Sequence, residues 1–286
     1  MSAKIFITEC PRDAMQSWPH QIATQDKIDY LNKLLKVGFD VLDFGSFVSP
    51  KAIPQMADTA KVLNNLNWEN SDTKLLAIVA NKRGVEEAAS YEAIHYLGYP
   101  FSISETFQKN NTNKSIDESK ILVEEAQNIA FKNNKKLLIY LSMGFGNPYG
   151  EKYSPEILYQ YLEELKNLGI RDFAIADTTG VADPILIKEV FEHIIPAFPD
   201  LKIGAHFHAK QTDALQNIEA AYLAGCRHFD TAILGIGGCP FSGSELVGNI
   251  PTEVISAFAD KYKIDLNWKE NQWMDSLLLA NKIFKS

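Results

Sequence analysis

The sequence predicts an α/β fold, a closed (β/α)8 TIM barrel with an extra C-terminal helical segment. Three observations carry that expectation. Eight short apolar runs alternate with amphipathic stretches along the 286 residues. The runs are nearly continuous in apolar residues, as strands buried on both faces require. No GxGxxG follows the first run, which weakens a dinucleotide-binding open sheet as the competing arrangement.

The strands are expected at 5–9, 41–47, 75–80, 100–105, 137–142, 173–177, 203–208 and 229–235. The helices are expected at 24–37, 51–65, 84–94, 116–133, 154–167, 183–196, 211–224 and 251–260, with a further one at 273–283. Ser154-Pro155 and Asp183-Pro184 mark two helix starts, because proline is tolerated in the first turn. Such alternation implies parallel strands joined by crossover helices, and eight units favour closure. A barrel of this kind takes about 250 residues as one unit. A single domain is therefore expected, with a barrel core at 4–262 and an extension at 263–286. No linker, low-complexity tract or break in composition interrupts it.

Composition narrows the function classes. Hydrophobic residues make up 46% and charged ones 22%, which are ordinary globular values. The net charge of −8 argues against nucleic-acid binding, which needs a basic patch. The three cysteines, Cys10, Cys226 and Cys239, are too few and odd for a disulfide framework and point to a reducing compartment. The opening residues lack signal-peptide character. No apolar run reaches the roughly 18 residues of a membrane span. A soluble, cytoplasmic protein is expected.

In this fold the active site lies where the C-terminal strand ends converge, so the polar residues at strand ends matter most. His206 and His208 end the seventh strand, and a spacing of two places both imidazoles on one side. They can share a metal, or form a hydrogen-bonded pair without one. Arg12 and Asp13 follow the first strand. Asp13 offers a hard oxygen ligand and Arg12 a fixed fork of donors for an oxyanion; a structural ion pair is the alternative. Asp43 within the second strand and Asp177 at the end of the sixth are costly to bury unless paired. Either can orient Arg12 or a metal-bound water, serve the chemistry directly, or be a buried hydrogen-bonded aspartate with no catalytic part. Cys239 lies in a glycine-rich segment beyond the eighth strand. A thiol on a closing loop can move a proton, although a small buried cysteine at a turn is the plainer reading. Asn249 ends that loop and is either a metal ligand or a helix cap before Pro251. Cys10, Cys226 and the remaining histidines read as structural or surface residues.

The motifs around these residues resemble the 3-hydroxy-3-methylglutaryl-CoA (HMG-CoA) lyases of the DRE-TIM metallolyase superfamily. The resemblance runs through PRDAMQ (11–16), SFVSPKAIPQMAD (46–58), SISETFQKNNTNKSIDES (102–119), GFGNPYGEKYSPE (144–156), AIADTTGVADP (174–184), HFHA (206–209) and GIGGCP (235–240). It implies a site for Mg²⁺ or Mn²⁺ held by Asp13, His206, His208 and Asn249. It implies an acyl-CoA substrate cleaved to acetyl-CoA and acetoacetate. Arg12 corresponds to the arginine that stabilises the enolate oxygen, and Cys239 to the cysteine of proton transfer. Asp43 stands where the lyases carry glutamate, and Asp177 matches an aspartate near the site; His206 and Asp43 both qualify to relay the hydroxyl proton. Four departures stand out. Ala14-Met15 replaces Gly-Leu, Asp43 replaces glutamate, and the loop from Cys239 to Asn249 is one residue longer. Glu9 is displaced by one position, leaving Thr8 in its register, and such a shift reverses a strand residue's facing. A Claisen-type synthase joining acetyl-CoA to a 2-keto acid and a non-catalytic acyl-CoA-binding barrel are the alternatives. No nucleic-acid or membrane partner is expected. Barrels of this kind often form homo-oligomers, and the sequence sets no number of copies.

Overall fold

The computed structural model describes residues 4–238 and 247–285. Its eight strands form a closed, all-parallel barrel in chain order. They are β1 (Phe6–Glu9), β2 (Val41–Ser46), β3 (Lys74–Ile78), β4 (Ile94–Ser102), β5 (Lys136–Ser142), β6 (Asp172–Asp177), β7 (Lys202–Phe207) and β8 (His228–Thr231). Closure is made by β1 against β8, with Phe6 beside His228 and Glu9 beside Thr231.

The helices, in order, are α1 (Pro11–Ser17), α2 (Thr24–Leu34), α3 (Thr59–Leu63), α4 (Lys82–Ala89), α5 (Glu105–Thr112), α6 (Ile116–Lys132), α7 (Pro155–Asn167), α8 (Pro184–Ala197), α9 (Ala214–Leu223), α10 (Thr252–Tyr262) and α11 (Glu270–Ile283). Ser154 and Asp183 cap α7 and α8 with their side chains, as the Ser-Pro and Asp-Pro pairs foretold. The C-terminal helix α11 packs on α2, where Lys33 and Asp275 pair at 2.7 Å.

Four expectations change. The eighth strand, expected at 229–235, ends at Thr231 and is followed by a 3-10 turn at Ile233–Gly235. The helix expected at 51–65 is broken into a 3-10 turn at Pro54–Met56 and the short α3. The fourth strand starts at Ile94, not at 100, and the expected helix before it stops at Ala89. A proline inside a strand needs a position where the ladder asks for no donor. Val79 N donates to Gly98 O, so alternation puts the Pro100 nitrogen on the same side, beyond Ile78, where β3 has ended and no donor is needed. Finally, α1 and α5 are helices where loops were expected.

Two apolar cores result. The larger lies between barrel and helices. The smaller fills the barrel and is built from alternate strand residues, Leu76, Ile78, Tyr140 and Ala174, with Val41, Tyr96 and Leu138 against them. Asp43, His206 and Asp230 share that inward parity: each sits two residues beyond Val41, Gly204 and His228. Their position one layer further along the strands sets them at the barrel mouth. A register shift between Asp43 and Gly45 marks a bulge there. Gly45 is required at it, since a Cβ would lie 2.6 Å from Thr59 Cγ2.

Candidate active site and metal centre

Arg12 and Asp13 sit in the first turn of α1, not in a loop. Pro11 at the first helical position fixes that turn, and the acidic Asp13 suits the helix N-terminus. Arg12 is buried and clamped between two carboxylates. Its Nε and Nη2 both donate to Asp43 Oδ2, at 2.9 and 2.6 Å. Its Nη1 donates to Asp13 Oδ1 at 2.7 Å and more weakly to Gln16 Oε1 at 3.4 Å. Burial opposes the guanidinium charge, but Asp43 and then Asp13 outweigh it and hold the proton more firmly than usual. Burial pushes the Asp43 carboxyl up to about 6, with Arg12 offsetting part of the effect. Asp43 thus orients Arg12, one of the two roles its burial suggested.

The second oxygen of Asp13 faces the other way. It accepts from Asn249 Nδ2 at 2.8 Å and from Gly238 N at 3.3 Å. Burial works against the Asp13 charge; Arg12, then His208 and His206, overcome it and hold its carboxyl well below the usual carboxylate range. Asn249 is brought here by an antiparallel bridge to His208, beside a hydrogen bond from Ala209 N to Gly248 O at 3.0 Å. It meets Asp13 as a donor, so its carbonyl oxygen reaches that place only with the amide turned over.

His206 and His208 lie with their ring centroids 5.1 Å apart and near perpendicular. Ligand atoms of Asp13, His206 and His208 all lie within 4.8 Å of one another, and all three residues are buried. The donor set, an ionised carboxylate oxygen beside two imidazoles, fits a divalent metal ion. Burial and then the neighbouring His206 push His208 down to about 4, which leaves its imidazole neutral and able to ligate a metal. His206 is oriented by Asp230, whose Oδ2 lies 3.0 Å from Nδ1. Burial opposes protonation of His206, but this hydrogen bond and the Asp230 charge raise its pKa. A carboxylate behind a ligating histidine fixes tautomer and ring orientation. The sequence reading missed Asp230, although a lone carboxylate in the apolar run 229–235 is the signal that singled out Asp43.

These groups open onto a cavity of about 550 Å³ lined by Arg12, Asp13, Tyr140, Ser142, His206 and His208 among others. Tyr140, also missed, lies edge-on to His206 with ring centroids 5.3 Å apart, and its buried hydroxyl has no hydrogen-bond partner among the described residues. Burial pushes its pKa well up, so it stays a neutral donor. Gly237 completes the wall: its φ is +126°, and a Cβ would overlap Asn249 Nδ2 and lie 2.7 Å from Asp13 Oδ2.

Asp43 and Asp177 are not among the residues lining this cavity. Asp177 holds the turn after β6, accepting from Val181 N at 3.1 Å and Ala182 N at 2.9 Å. Its contacts are those of a loop clasp, not of a group facing substrate; burial pushes it up to about 6. Glu9 points out of the barrel, as its displaced register implied. Its carboxyl meets Ile233 N at 2.9 Å and Thr252 Oγ1 at 2.6 Å, and burial pushes it up to about 8. Cys239 lies outside the described residues. Cys10 and Cys226 are free and buried.

Comparison with known proteins agrees with this geometry. A family model for HMGL-like proteins matches residues 4–277. The chain is 36% identical over 281 residues to the hydroxymethylglutaryl-CoA lyase YngG of Bacillus subtilis (strain 168), covering 98% of this chain and 91% of that one. A crystal structure of the Bacillus subtilis HMG-CoA lyase superposes with a TM-score of 0.92 at 33% identity, covering 99% and 94% of the two chains. An HMG-CoA lyase from Acinetobacter baumannii, solved with coenzyme A and 3-methylmalate, superposes at 0.91 with 28% identity, covering 100% and 93%.

Proposed function

The chain belongs to the HMGL-like family, and from that premise we propose that it cleaves 3-hydroxy-3-methylglutaryl-CoA, or a close 3-hydroxyacyl-CoA, into acetyl-CoA and a 3-keto acid. With HMG-CoA the second product is acetoacetate. The observation that carries this reading is the convergence of Asp13, His206 and His208 within 4.8 Å at the mouth of a cavity that Arg12 also lines.

Asp13, His206 and His208, with the Asn249 amide turned to present its oxygen, would hold a Mg²⁺ or Mn²⁺ ion. Such an ion supplies Lewis acidity toward substrate oxygens and eases ionisation of a hydroxyl. The rest is done by the chain's own groups. A proton leaves the 3-hydroxyl, the C2–C3 bond breaks, and its electron pair becomes the enolate of the acetyl thioester. Arg12, held charged between Asp43 and Asp13, stabilises the thioester oxygen as it becomes anionic. Tyr140 offers a neutral donor on the same wall. Of the two residues first considered for the hydroxyl proton, Asp43 does not line the cavity, and His206 does but has Nδ1 committed to Asp230 and its other nitrogen assigned to the ion, so His206 serves the site as a ligand. Cys239 protonates C2 of the enolate, a role that rests on the family resemblance alone.

The test is acetoacetate release from HMG-CoA with added Mg²⁺ or Mn²⁺. A chelator should abolish it, and His206→Ala and Cys239→Ala should each lower it by about 100-fold or more. Undiminished turnover in Cys239→Ala would remove its assigned role. No product from HMG-CoA under metal-replete conditions would overturn the whole reading.

A further inference from the structure

The reaction proposed above leaves one buried thiol beside the site unused. Thr8 is paired with Val41, whose side chain faces the barrel interior, and Cys10, two residues on, points the same way. Its Sγ makes only a long contact, 3.7 Å to Thr8 O. Ligand atoms of Cys10, His206 and Asp230 lie within 4.8 Å of one another, and all three residues are buried. His206 therefore belongs to two sets of three, this one and the set with Asp13 and His208.

The two sets differ in chemistry. Asp13, His206 and His208 offer oxygen and nitrogen alone, while Cys10 brings sulfur, which selects softer ions. Thiolate, imidazole and carboxylate are together the ligands of zinc. A tetrahedral ion with bonds of about 2.0–2.3 Å holds its donors about 3.3–3.8 Å apart, so the widest pair has to close by at most about 1.5 Å. Two buried side-chain oxygens, Asp43 Oδ1 and Tyr140 Oη, have no hydrogen-bond partner among the described residues. Asp230 and Cys10 are the groups whose charges act most on Tyr140, and Asp43 follows. These oxygens stand next to the set and suit a water in its fourth position. Asp230 also lines a cavity of about 460 Å³ with Phe6, Thr8, Gly204 and His228, residues at the N-terminal end of the barrel. An ion thus has a route from the end opposite the substrate.

We infer that Cys10, His206 and Asp230 form a second metal site, for a thiophilic divalent cation of the Zn²⁺ class, whose occupation shuts off the first. The thiol proton passes to solvent as the sulfur–metal bond forms, and Asp230 exchanges its hydrogen bond with His206 Nδ1 for a bond to the ion. A neutral imidazole carries one lone-pair nitrogen. With Nδ1–H donated to Asp230, that lone pair is on Nε2. An ion held beside Asp230 takes Nδ1 and leaves the proton on Nε2, so His206 no longer serves the set with Asp13 and His208. The two ions exclude each other through one ring. Binding here is independent of the lyase reading; the loss of turnover rests on it.

The experiment titrates Cd²⁺ into metal-free full chain carrying Cys226→Ser and Cys239→Ser, which leaves Cys10 as the remaining thiol. Thiolate-to-metal absorbance reports the bond. One equivalent should develop the band, Cys10→Ser should abolish it, and Asp230→Asn should weaken binding by about tenfold or more. Excess Mn²⁺ should raise the Cd²⁺ needed. Serine suits the helix-capping place of Cys10, a thermal melt checks each variant, and in the otherwise wild-type chain the Cys10→Ser difference spectrum reads the same thiol. In the lyase assay, Cys10→Ser should need at least about tenfold more Zn²⁺ for half-inhibition. No band at one equivalent, or Cd²⁺ binding that Mn²⁺ does not oppose, overturns the inference. A Cys10-dependent band in a protein that releases nothing from HMG-CoA would sink the proposed reaction and leave this site standing.

Discussion

Replacing Asp43 with asparagine tests the Arg12 clamp through both stability and activity. The side chain keeps its shape and loses its charge. Two effects on folding compete. Asp43 Oδ2 accepts two N–H groups of Arg12, at 2.9 and 2.6 Å, and charge-assisted bonds are worth about 1.5–3 kcal/mol each. Against this, burial is costly enough that the carboxyl rises from its ordinary 3.8 to about 6 even with Arg12 beside it. That rise corresponds to about 3 kcal/mol against the charged form at neutral pH. The neutral isostere escapes this penalty but gives up the two charge-assisted bonds, about 3–6 kcal/mol together, so the fold should lose up to about 3 kcal/mol. Catalysis should fall too. Arg12 would keep Asp13 as its one carboxylate partner and shift toward it, away from the thioester oxygen. Loss of one aligned oxyanion donor costs about 10²–10³ in kcat. The assays are steady-state acetoacetate release and a thermal melt on the same preparation. The expected result is a Tm at or below wild type with kcat lowered about 100-fold at temperatures where the variant is folded. A kcat within about threefold of wild type would refute the claim that Asp43 aims Arg12.

Three further outcomes follow from the same geometry. His208→Ala removes a neutral imidazole ligand and should weaken Mn²⁺ binding, read by calorimetry, by more than the roughly 10–100-fold that loss of a supporting residue costs. Gly237→Ala drives a methyl against Asn249 and to 2.7 Å from Asp13 Oδ2 at a φ of +126°. It should lower Mn²⁺ affinity and lyase rate together, and a variant with wild-type affinity would show that the wall yields freely. Glu9 titrates near 8 in the fold against an ordinary 4.5, so the folded state holds a proton that the unfolded chain releases. Its contribution is therefore full below about pH 4.5 and declines as pH rises toward 8, by up to about 5 kcal/mol across that window. Glu9→Gln lacks this slope, so its stability in urea should gain on wild type between about pH 5 and about pH 9, and parallel curves would refute the assignment.

Most of the barrel was legible because its signals are local. Continuous apolar runs mark strands buried on both faces, and Ser154-Pro155 and Asp183-Pro184 mark helix starts. The errors have local causes too. Pro100 reads as a strand start, because only the tertiary arrangement shows that β3 has ended beside it. The stretch 51–65 has helical composition, yet Pro54 splits it. The site was legible where spacing alone sets facing, as with His206 and His208 two apart. Asp230 and Tyr140 carried the same parity signal and were passed over. Asp177 was chosen as a buried carboxylate at a strand end, but its partners are the backbone amides of the next turn, which no side-chain pattern reveals. Glu9 shows the gain from register: one position of displacement turned the carboxyl out of the barrel, onto Thr252.

Counting donors on Arg12 shows how narrowly its charge is aimed. A guanidinium carries five N–H groups. Asp43 takes the Nε hydrogen and one from Nη2, and Asp13 takes one from Nη1, at distances of 2.6–2.9 Å. The second Nη1 hydrogen faces Gln16 at a weak 3.4 Å. What remains strongly available to an oxygen in the cavity is the second hydrogen of Nη2. A freely rotating lysine ammonium has no comparable restriction, and only the planar fork fixes three bonds and still presents a fourth direction. Asp13 then links the two halves of the site: one oxygen steadies Arg12 while the other faces Asn249 and the histidines. Any charge drawn toward one oxygen is felt at the other. The proposed metal site and the proposed enolate site on the arginine side therefore share one electrostatic unit, and Asp43 keeps Arg12 from collapsing wholly onto Asp13.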